Sequence, residues 1–228
     1  MIRSGPFRRN ARCFAGALAA ALLLATRLLC AAELFVEISD QDGGPVEDAV
    51  VSLTALDGRP ALPDPPPSTT KSIDQRNEVF VPFLEIFRPG DRLVFQNNDS
   101  TRHHVYSFSE VKSFEFVLAK GESSTPILLD RPGVIAIGCN IHDSMIAYVF
   151  VSDAPWVGRS DRRGSVHFDK LPAGTYTIAL WHPWQTPGEE GAAQHITIDA
   201  AVTSVRAAFS LSLLPDPRQP RDRERSIY

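Results

Sequence analysis

Apolar and polar residues alternate in short runs along most of this chain, and clusters of proline, glycine and aspartate separate the runs. Residues 34–39 and 49–55 are two such runs, and a turn sequence containing Gly43, Gly44 and Pro45 lies between them. Successive side chains of a β-strand point to opposite faces, so this two-residue period predicts strands with one buried face. Almost nothing after residue 32 has helical periodicity. The chain is therefore predicted to be all-β.

The spacing of these runs predicts how the strands are grouped. Between residues 71 and 153 the runs are dense, which is typical of a small Greek-key sandwich. Residues 59–70 include five prolines and are predicted to be a stiff linker. Residues 33–58 and 160–214 contain the other strands, and the charged tail at 215–228 is predicted to be disordered. The strands predicted in the dense group are 78–84, 92–96, 103–108, 114–118, 124–129, 134–138 and 146–151.

Residues 1–32 have the layout of a secretory signal peptide. Arginines at the start precede an apolar run at 15–25, and small residues follow at Ala31 and Ala32. The apolar run is too short to span a bilayer, so we expect cleavage after Ala32. The residues before Cys30 are leucines, whereas a lipoprotein signal has a small residue there. The mature protein is thus expected to be periplasmic or secreted, with no stable membrane insertion.

The charge of the chain argues against one class of partner, the nucleic acids. The formal net charge of the 228 residues is −4, and no basic stripe or block of like charges occurs. Nucleic-acid binding is therefore not expected.

The candidate chemistry lies in a short C-x2-H-x2-M string formed by Cys139, His142 and Met145. The chain has three cysteines and two methionines. Because two cysteines lie in the predicted leader and one methionine is the initiator, Cys139 and Met145 are the only sulfur donors expected in the mature chain. A lone thiol is a liability in an oxidising compartment unless something protects it. Thiolate, imidazole and thioether together are a donor set for copper.

A fourth donor is expected from a distant strand on the same rim of the sandwich. His103 and His104 begin the predicted strand 103–108, directly after the loop 97–101. Either histidine satisfies this requirement.

Residues 73–152 resemble the cupredoxins, the family of plastocyanin and amicyanin. Residues 89–98 (PGDRLVFQNN) are similar to that family's P-G-D-x-V-x-F-x-N strand, and residues 102–107 (RHHVYS) to its ligand strand x-H-N-V-x-x. Residues 120–123 (KGES) are similar to its G-E-S turn, and the Cys139–Met145 spacing is that of amicyanin. The resemblance implies a type 1 copper site with His103, Cys139, His142 and Met145 as ligands. It also implies an asparagine that holds the ligand loop by hydrogen bonds, here Asn97 or Asn98.

The flanking segments resemble a different family. Residues 42–53 are similar to the D-x-G-x-P-V-x-x-A-x-V opening of carboxypeptidase-regulatory or transthyretin-like sandwiches, and residues 164–176 to their G-x-x-x-F-x-x-L-P-x-G-x-Y segment. Both segments belong to one domain in that family, which implies that the cupredoxin sandwich is inserted in a transthyretin-like sandwich. Two tandem domains are the alternative. The two-part chain also resembles proteins commonly named methylamine utilisation proteins.

The strand 103–108 offers two candidates, His103 and His104, for the histidine ligand that lies outside the C-x2-H-x2-M string. The ligand-strand match selects His103, which we prefer. Strand alternation instead groups His104 with Tyr106 and Phe108, aromatic residues that are expected to face a core, and so leaves His104 as the alternative.

The resemblance implies a carrier that passes single electrons to or from an unidentified redox partner protein and has no enzyme activity of its own. The alternative is a non-redox secreted sandwich protein that delivers copper or binds a partner or saccharide. A nucleophilic role for Cys139 is disfavoured, because the string contains no orienting residue and no helix N-terminus to activate the thiol.

Overall fold

The computed structural model of the protein describes residues 31–56, 66–188 and 193–217. The regular elements within these ranges are all strands, which confirms the all-β class. None of the described residues belongs to a helix long and apolar enough to cross a bilayer. The predicted leader up to residue 30, most of the proline-rich linker (57–65) and the tail from 218 lie outside the described residues. Ala32, where cleavage is expected, is buried and pairs with Leu171.

Sixteen strands are described. They are β1 (Ala32–Asp40), β2 (Val50–Ala55), β3 (Thr70–Arg76), β4 (Val79–Val81), β5 (Leu84–Phe87), β6 (Arg92–Asn97), β7 (His103–Phe108), β8 (Ser113–Leu118), β9 (Ile127–Leu128), β10 (Gly133–Cys139), β11 (Ile146–Val151), β12 (Trp156–Arg159), β13 (Ser165–Leu171), β14 (Gly174–Trp181), β15 (Gln194–Ile198) and β16 (Ser204–Leu211).

These strands form four sheets that enclose two separate cores. The sheets β13-β1-β16 and β12-β2-β14-β15 enclose one apolar cluster, and we call this pair the first sandwich. The sheets β4-β3-β6-β9 and β5-β11-β10-β7-β8 enclose the other, and this pair is the second sandwich. Strand β12 pairs with β2, with Trp156 opposite Leu53. The strands that precede and follow the second sandwich in the chain therefore share sheets.

The strands differ from the sequence prediction in four places, one of which is β3, where no strand is predicted. The run 78–84 is divided into β4 and β5, which lie in different sheets, because Pro82 has no N–H with which to continue a ladder. The strand predicted at 124–129 is reduced to two residues, Ile127 and Leu128. Residues 156–159, which lie between the strand groups predicted at 71–153 and 160–214, form β12.

Aromatic side chains join the two sandwiches. Tyr148 and Phe150 of β11 pack against Trp181 at centroid distances of 5.9 and 5.3 Å, and Tyr148 also packs against Trp184 at 5.5 Å. Arg88 donates hydrogen bonds to the carbonyls of Ala154 and Pro155, in the segment that connects β11 to β12. One face of β11 is thus covered by the first sandwich, and its other face lines the second core.

A buried carboxylate holds the corner between β3 and β6. Asp91 accepts hydrogen bonds from the backbone N–H groups of Thr69 and Arg88, both at 2.7 Å. Burial raises the pKa of Asp91, but these hydrogen bonds outweigh burial, so its pKa lies below the ordinary value. A carboxylate whose pKa is lower in the folded state stabilises that state above the unfolded pKa of about 3.9. This contribution is lost as the pH falls through the folded pKa.

Acid is therefore expected to lower the unfolding temperature, and Asp91→Asn is expected to reduce that loss because the substituted amide does not titrate. Thermal unfolding of both proteins at pH 7 and pH 3 measures the difference. An equal fall in the two proteins would show that Asp91 contributes nothing to the pH dependence.

Candidate metal centre

The loop between β10 and β11 brings the C-x2-H-x2-M residues together. Strands β10 and β11 are antiparallel neighbours, and Gly138 opposite Ile146 is their last pair before the loop. The N–H of Cys139 donates to the carbonyl of Met145 at 3.3 Å, and the N–H of Met145 donates to the carbonyl of His142 at 3.0 Å. These bonds turn the loop back on itself at one end of the second sandwich.

His103 reaches the same point from β7. This strand pairs with β10, and Val105 lies opposite Cys139. Because side chains two residues apart share a face, His103 projects inward on the same side as Val105. Its side chain is fully buried. The two histidine rings, from His103 and His142, lie 5.0 Å apart at 58°.

The three nitrogen and sulfur donors converge closely. The Sγ atom of Cys139 lies 3.8 Å from Nδ1 of His103 and 3.8 Å from Nδ1 of His142. One donor atom from each of these residues lies within 4.8 Å of the others. Met145 is buried in the same core cluster as Cys139. Of the four residues, Cys139, Met145 and His103 are buried, whereas the His142 side chain is 20% exposed.

These separations fit a bound ion. A metal about 2.1 Å from an imidazole nitrogen and about 2.3 Å from a thiolate sulfur separates the two by about 3.8 Å at an angle near 120°. Cys139 lies at this distance from both nitrogens. A thiolate, two imidazoles and a nearby thioether form a donor set that suits copper. Among the described residues no other group of three histidine, cysteine or carboxylate side chains is close enough to hold a metal.

His104 lies on the opposite face of β7. Its Nε2 atom is 2.8 Å from Oε1 of Glu115, and its Nδ1 atom is 3.4 Å from the amide nitrogen of Asn140. The expectation that His104, Tyr106 and Phe108 face the core is wrong. Phe108 is 73% exposed, and the inward face carries His103 and its alternate neighbours.

Carboxylates lie behind both converging histidines. Nε2 of His103 is 3.1 Å from Oδ2 of Asp99, and Nε2 of His142 is 3.6 Å from Oε1 of Glu78. An ionised carboxylate only accepts hydrogen bonds, so the contact with Asp99 assigns a proton to Nε2 of His103 and leaves Nδ1 as the atom that can bind a metal. The N–H of Glu78, at 2.6 Å, is the largest of the influences that hold the pKa of Asp99 below its ordinary value.

Asp99 and Glu78 were not among the site residues predicted from the sequence. Asp99 lies four residues before His103, within the loop that leads to β7, and this spacing was the one available signal. Glu78 has no local signal, because its approach to His142 depends on how the two sheets meet.

Asn97 organises the loop that carries Asp99. Its side-chain amide donates to the carbonyls of Thr101 and Leu118, both at 2.9 Å, and its Oδ1 atom accepts the N–H of Asp99 at 3.0 Å. Asn98 instead donates to Asp74. Of the two asparagines, Asn97 has the contacts that brace the loop before the histidine strand.

No protein-family model matches the chain, and no curated protein matches it. Several solved structures resemble part of it. A purple cupredoxin from Nitrosopumilus maritimus is 20% identical, with a TM-score of 0.32, over 36% of this chain and 98% of that chain. Amicyanin from Paracoccus versutus is 16% identical, with a TM-score of 0.33, over 44% and 98%.

A copper-containing nitrite reductase from Thermus scotoductus is 24% identical, with a TM-score of 0.34, over 42% of this chain and 24% of that one. Such low scores do not decide what this chain binds.

Proposed function

We propose that this chain is a type 1 copper protein that passes single electrons to and from a partner protein. The observation that carries the proposal is the convergence of one sulfur and two imidazole nitrogens, with 3.8 Å from Sγ of Cys139 to each Nδ1. Bound copper supplies a one-electron couple between Cu(I) and Cu(II). In this proposal His103, Cys139, His142 and Met145 would hold the copper, and His104 would not.

Hydrogen bonds hold the donor residues of the site in one arrangement, which suits the transfer of an electron. The loop bonds among Cys139, His142 and Met145 fix the spacing of three donors. The buried contact with Asp99 fixes the ring of His103. A site that is held in one arrangement needs little rearrangement between two charge states, which favours electron transfer over catalysis.

His142 is the proposed point of electron entry and exit. It is the partly exposed member of the set, while the other three donors are buried. Ile141 beside it is 46% exposed and Val79, next to Glu78, is 50% exposed. Small apolar contacts around such an edge suit a transient complex with a redox partner.

The compartment is part of the same proposal. The leader features at residues 1–32 support export to the periplasm or beyond. The burial of Cys139 and its place beside two imidazoles support a thiol that is protected after export.

The test is a copper titration of the purified mature protein, followed by visible spectroscopy and a reversible redox titration. We expect one copper per chain, an intense thiolate-to-copper absorption band and a one-electron couple. Cys139→Ser is expected to remove the band, because a hydroxyl group does not replace the thiolate. Ser144→Ala, an exposed change in the same loop, should leave the band in place.

A wild-type protein that binds copper but stays colourless, or that shows no reversible couple, would overturn the electron-transfer proposal. That result would favour copper delivery, which needs affinity without a redox cycle.

A further inference from the structure

A buried carboxylate stands directly behind one of the proposed ligands. Asp99 is 7% exposed, and its Oδ2 atom lies 3.1 Å from Nε2 of the fully buried His103. We propose that Asp99 is a positioning residue that lowers the reduction potential of the copper centre through His103. This inference rests on the proposed function and adds to it a residue outside the four ligands.

The orientation of Asp99 is tightly determined. Its Oδ2 atom also accepts the N–H of Glu78 at 2.6 Å, and its Oδ1 atom accepts the N–H of Ser100 at 2.7 Å. Its own N–H donates to Asn97 at 3.0 Å. With both oxygens and the backbone engaged, the carboxylate cannot rotate away from the imidazole. It therefore directs His103 with one geometry in both charge states.

Two physical effects of this contact act in the same direction. A carboxylate that accepts the Nε2 proton makes the imidazole a stronger donor at Nδ1. Its negative charge also lies where water does not screen it, since His103 is fully buried. Both effects stabilise the more positive oxidised ion more than the reduced ion. The couple itself takes one electron from an external donor, and no bond to Asp99 forms or breaks.

Glu78 offers an internal comparison. It faces Nε2 of His142 at 3.6 Å, but its side chain is 60% exposed. An exposed carboxylate at a longer distance is screened by water and salt. The two histidines thus have carboxylates of the same charge in contrasting surroundings, and Glu78→Gln is a matched control for Asp99→Asn.

The experiment measures the reduction potentials of copper-loaded wild type, Asp99→Asn and Glu78→Gln by spectroelectrochemical titration at one pH and ionic strength. Asp99→Asn is expected to change the ratio of Cu(II) to Cu(I) affinity about tenfold. That change corresponds to a rise of about 59 mV for a one-electron couple. Glu78→Gln is expected to shift the potential much less. A shift for Asp99→Asn no larger than that of Glu78→Gln overturns the inference.

The outcomes separate this inference from the function on which it rests. A wild type with no charge-transfer band or no reversible couple overturns the proposed function. A wild type with both, together with an unshifted Asp99→Asn, overturns the role of Asp99 alone.

A second measurement applies if Asp99→Asn does not fold. In the copper(I)-loaded wild type, nitrogen-15 NMR of the His103 ring should show its proton on Nε2, in a hydrogen bond to Asp99. The opposite tautomer overturns the inference.

Discussion

Replacement of His103 by alanine is expected to weaken copper binding by more than about 100-fold, because loss of a group behind a ligand already costs 10- to 100-fold. The His103 ring is fully buried, and its Nδ1 atom lies 3.8 Å from Sγ of Cys139. Its removal leaves a donor set with one imidazole and a cavity in the rim. A competition titration against a chelator of known affinity measures the loss, and the visible spectrum reports the change of geometry.

His104→Ala is the matched control. It removes the same group from the next residue of the same strand, but this side chain contacts Glu115 and Asn140 and not Cys139. We expect an affinity within a few-fold of wild type. Equal losses in the two variants would contradict the assignment of the inward face of β7. A loss in neither variant would contradict the whole donor set.

Replacement of Gly164 by alanine is expected to destabilise the first sandwich by at least about 3 kcal/mol. Gly164 has φ +72°, and a Cβ atom there would lie 2.2 Å from the carbonyl oxygen of Ile38. The neighbouring atom belongs to the backbone of β1 and cannot move as a side chain does. Ile38 also donates its N–H to the carbonyl of Gly164 at 2.8 Å. Any shift that relieves the clash therefore strains this bond.

Gly43→Ala separates the clash from the cost of the backbone conformation. Gly43 has a similar φ of +82°, but nothing lies within 4 Å of an added Cβ. This variant should cost only the left-handed conformation, about 1–2 kcal/mol. Chemical denaturation of both variants gives the two free energies of unfolding. Similar values would show that β1 yields easily at this turn and that the close approach carries little energy.

The sequence predicted the fold class because strand periodicity is a local property. Residues 134–138 and 146–151 are short apolar runs rich in β-branched and aromatic residues, a local pattern typical of strands, and the structure has β10 and β11 there. The prediction failed where a local pattern has two tertiary outcomes. Residues 79–84 of the run 78–84 are all apolar, yet Pro82 divides the run between two sheets. Trp156 lies between the predicted groups of strands, and its place in β12 depends on β2 as the partner strand.

The residues of the candidate site also differ in how far the sequence predicts them. Cys139, His142 and Met145 were identifiable because one short loop carries all three, and the spacing of a tight loop limits where its side chains point. The choice between His103 and His104 was different. Alternation shows that the two side chains lie on opposite faces, but it does not show which face meets the opposing sheet. Tyr106 and Phe108 were expected to face the core and so made alternation favour His104, but they lie on the outer face of β7.

By itself, the sequence determined the all-β class, the scarce sulfur donors and the loop that holds three of the four proposed ligands. These are consequences of composition and of short-range spacing. Only the tertiary structure decided that His103 faces Cys139, that Asp99 lies buried behind His103, and that Glu78 reaches His142. Those contacts depend on the packing of two sheets, and the pattern within a single strand carries no information about the sheet that will cover it.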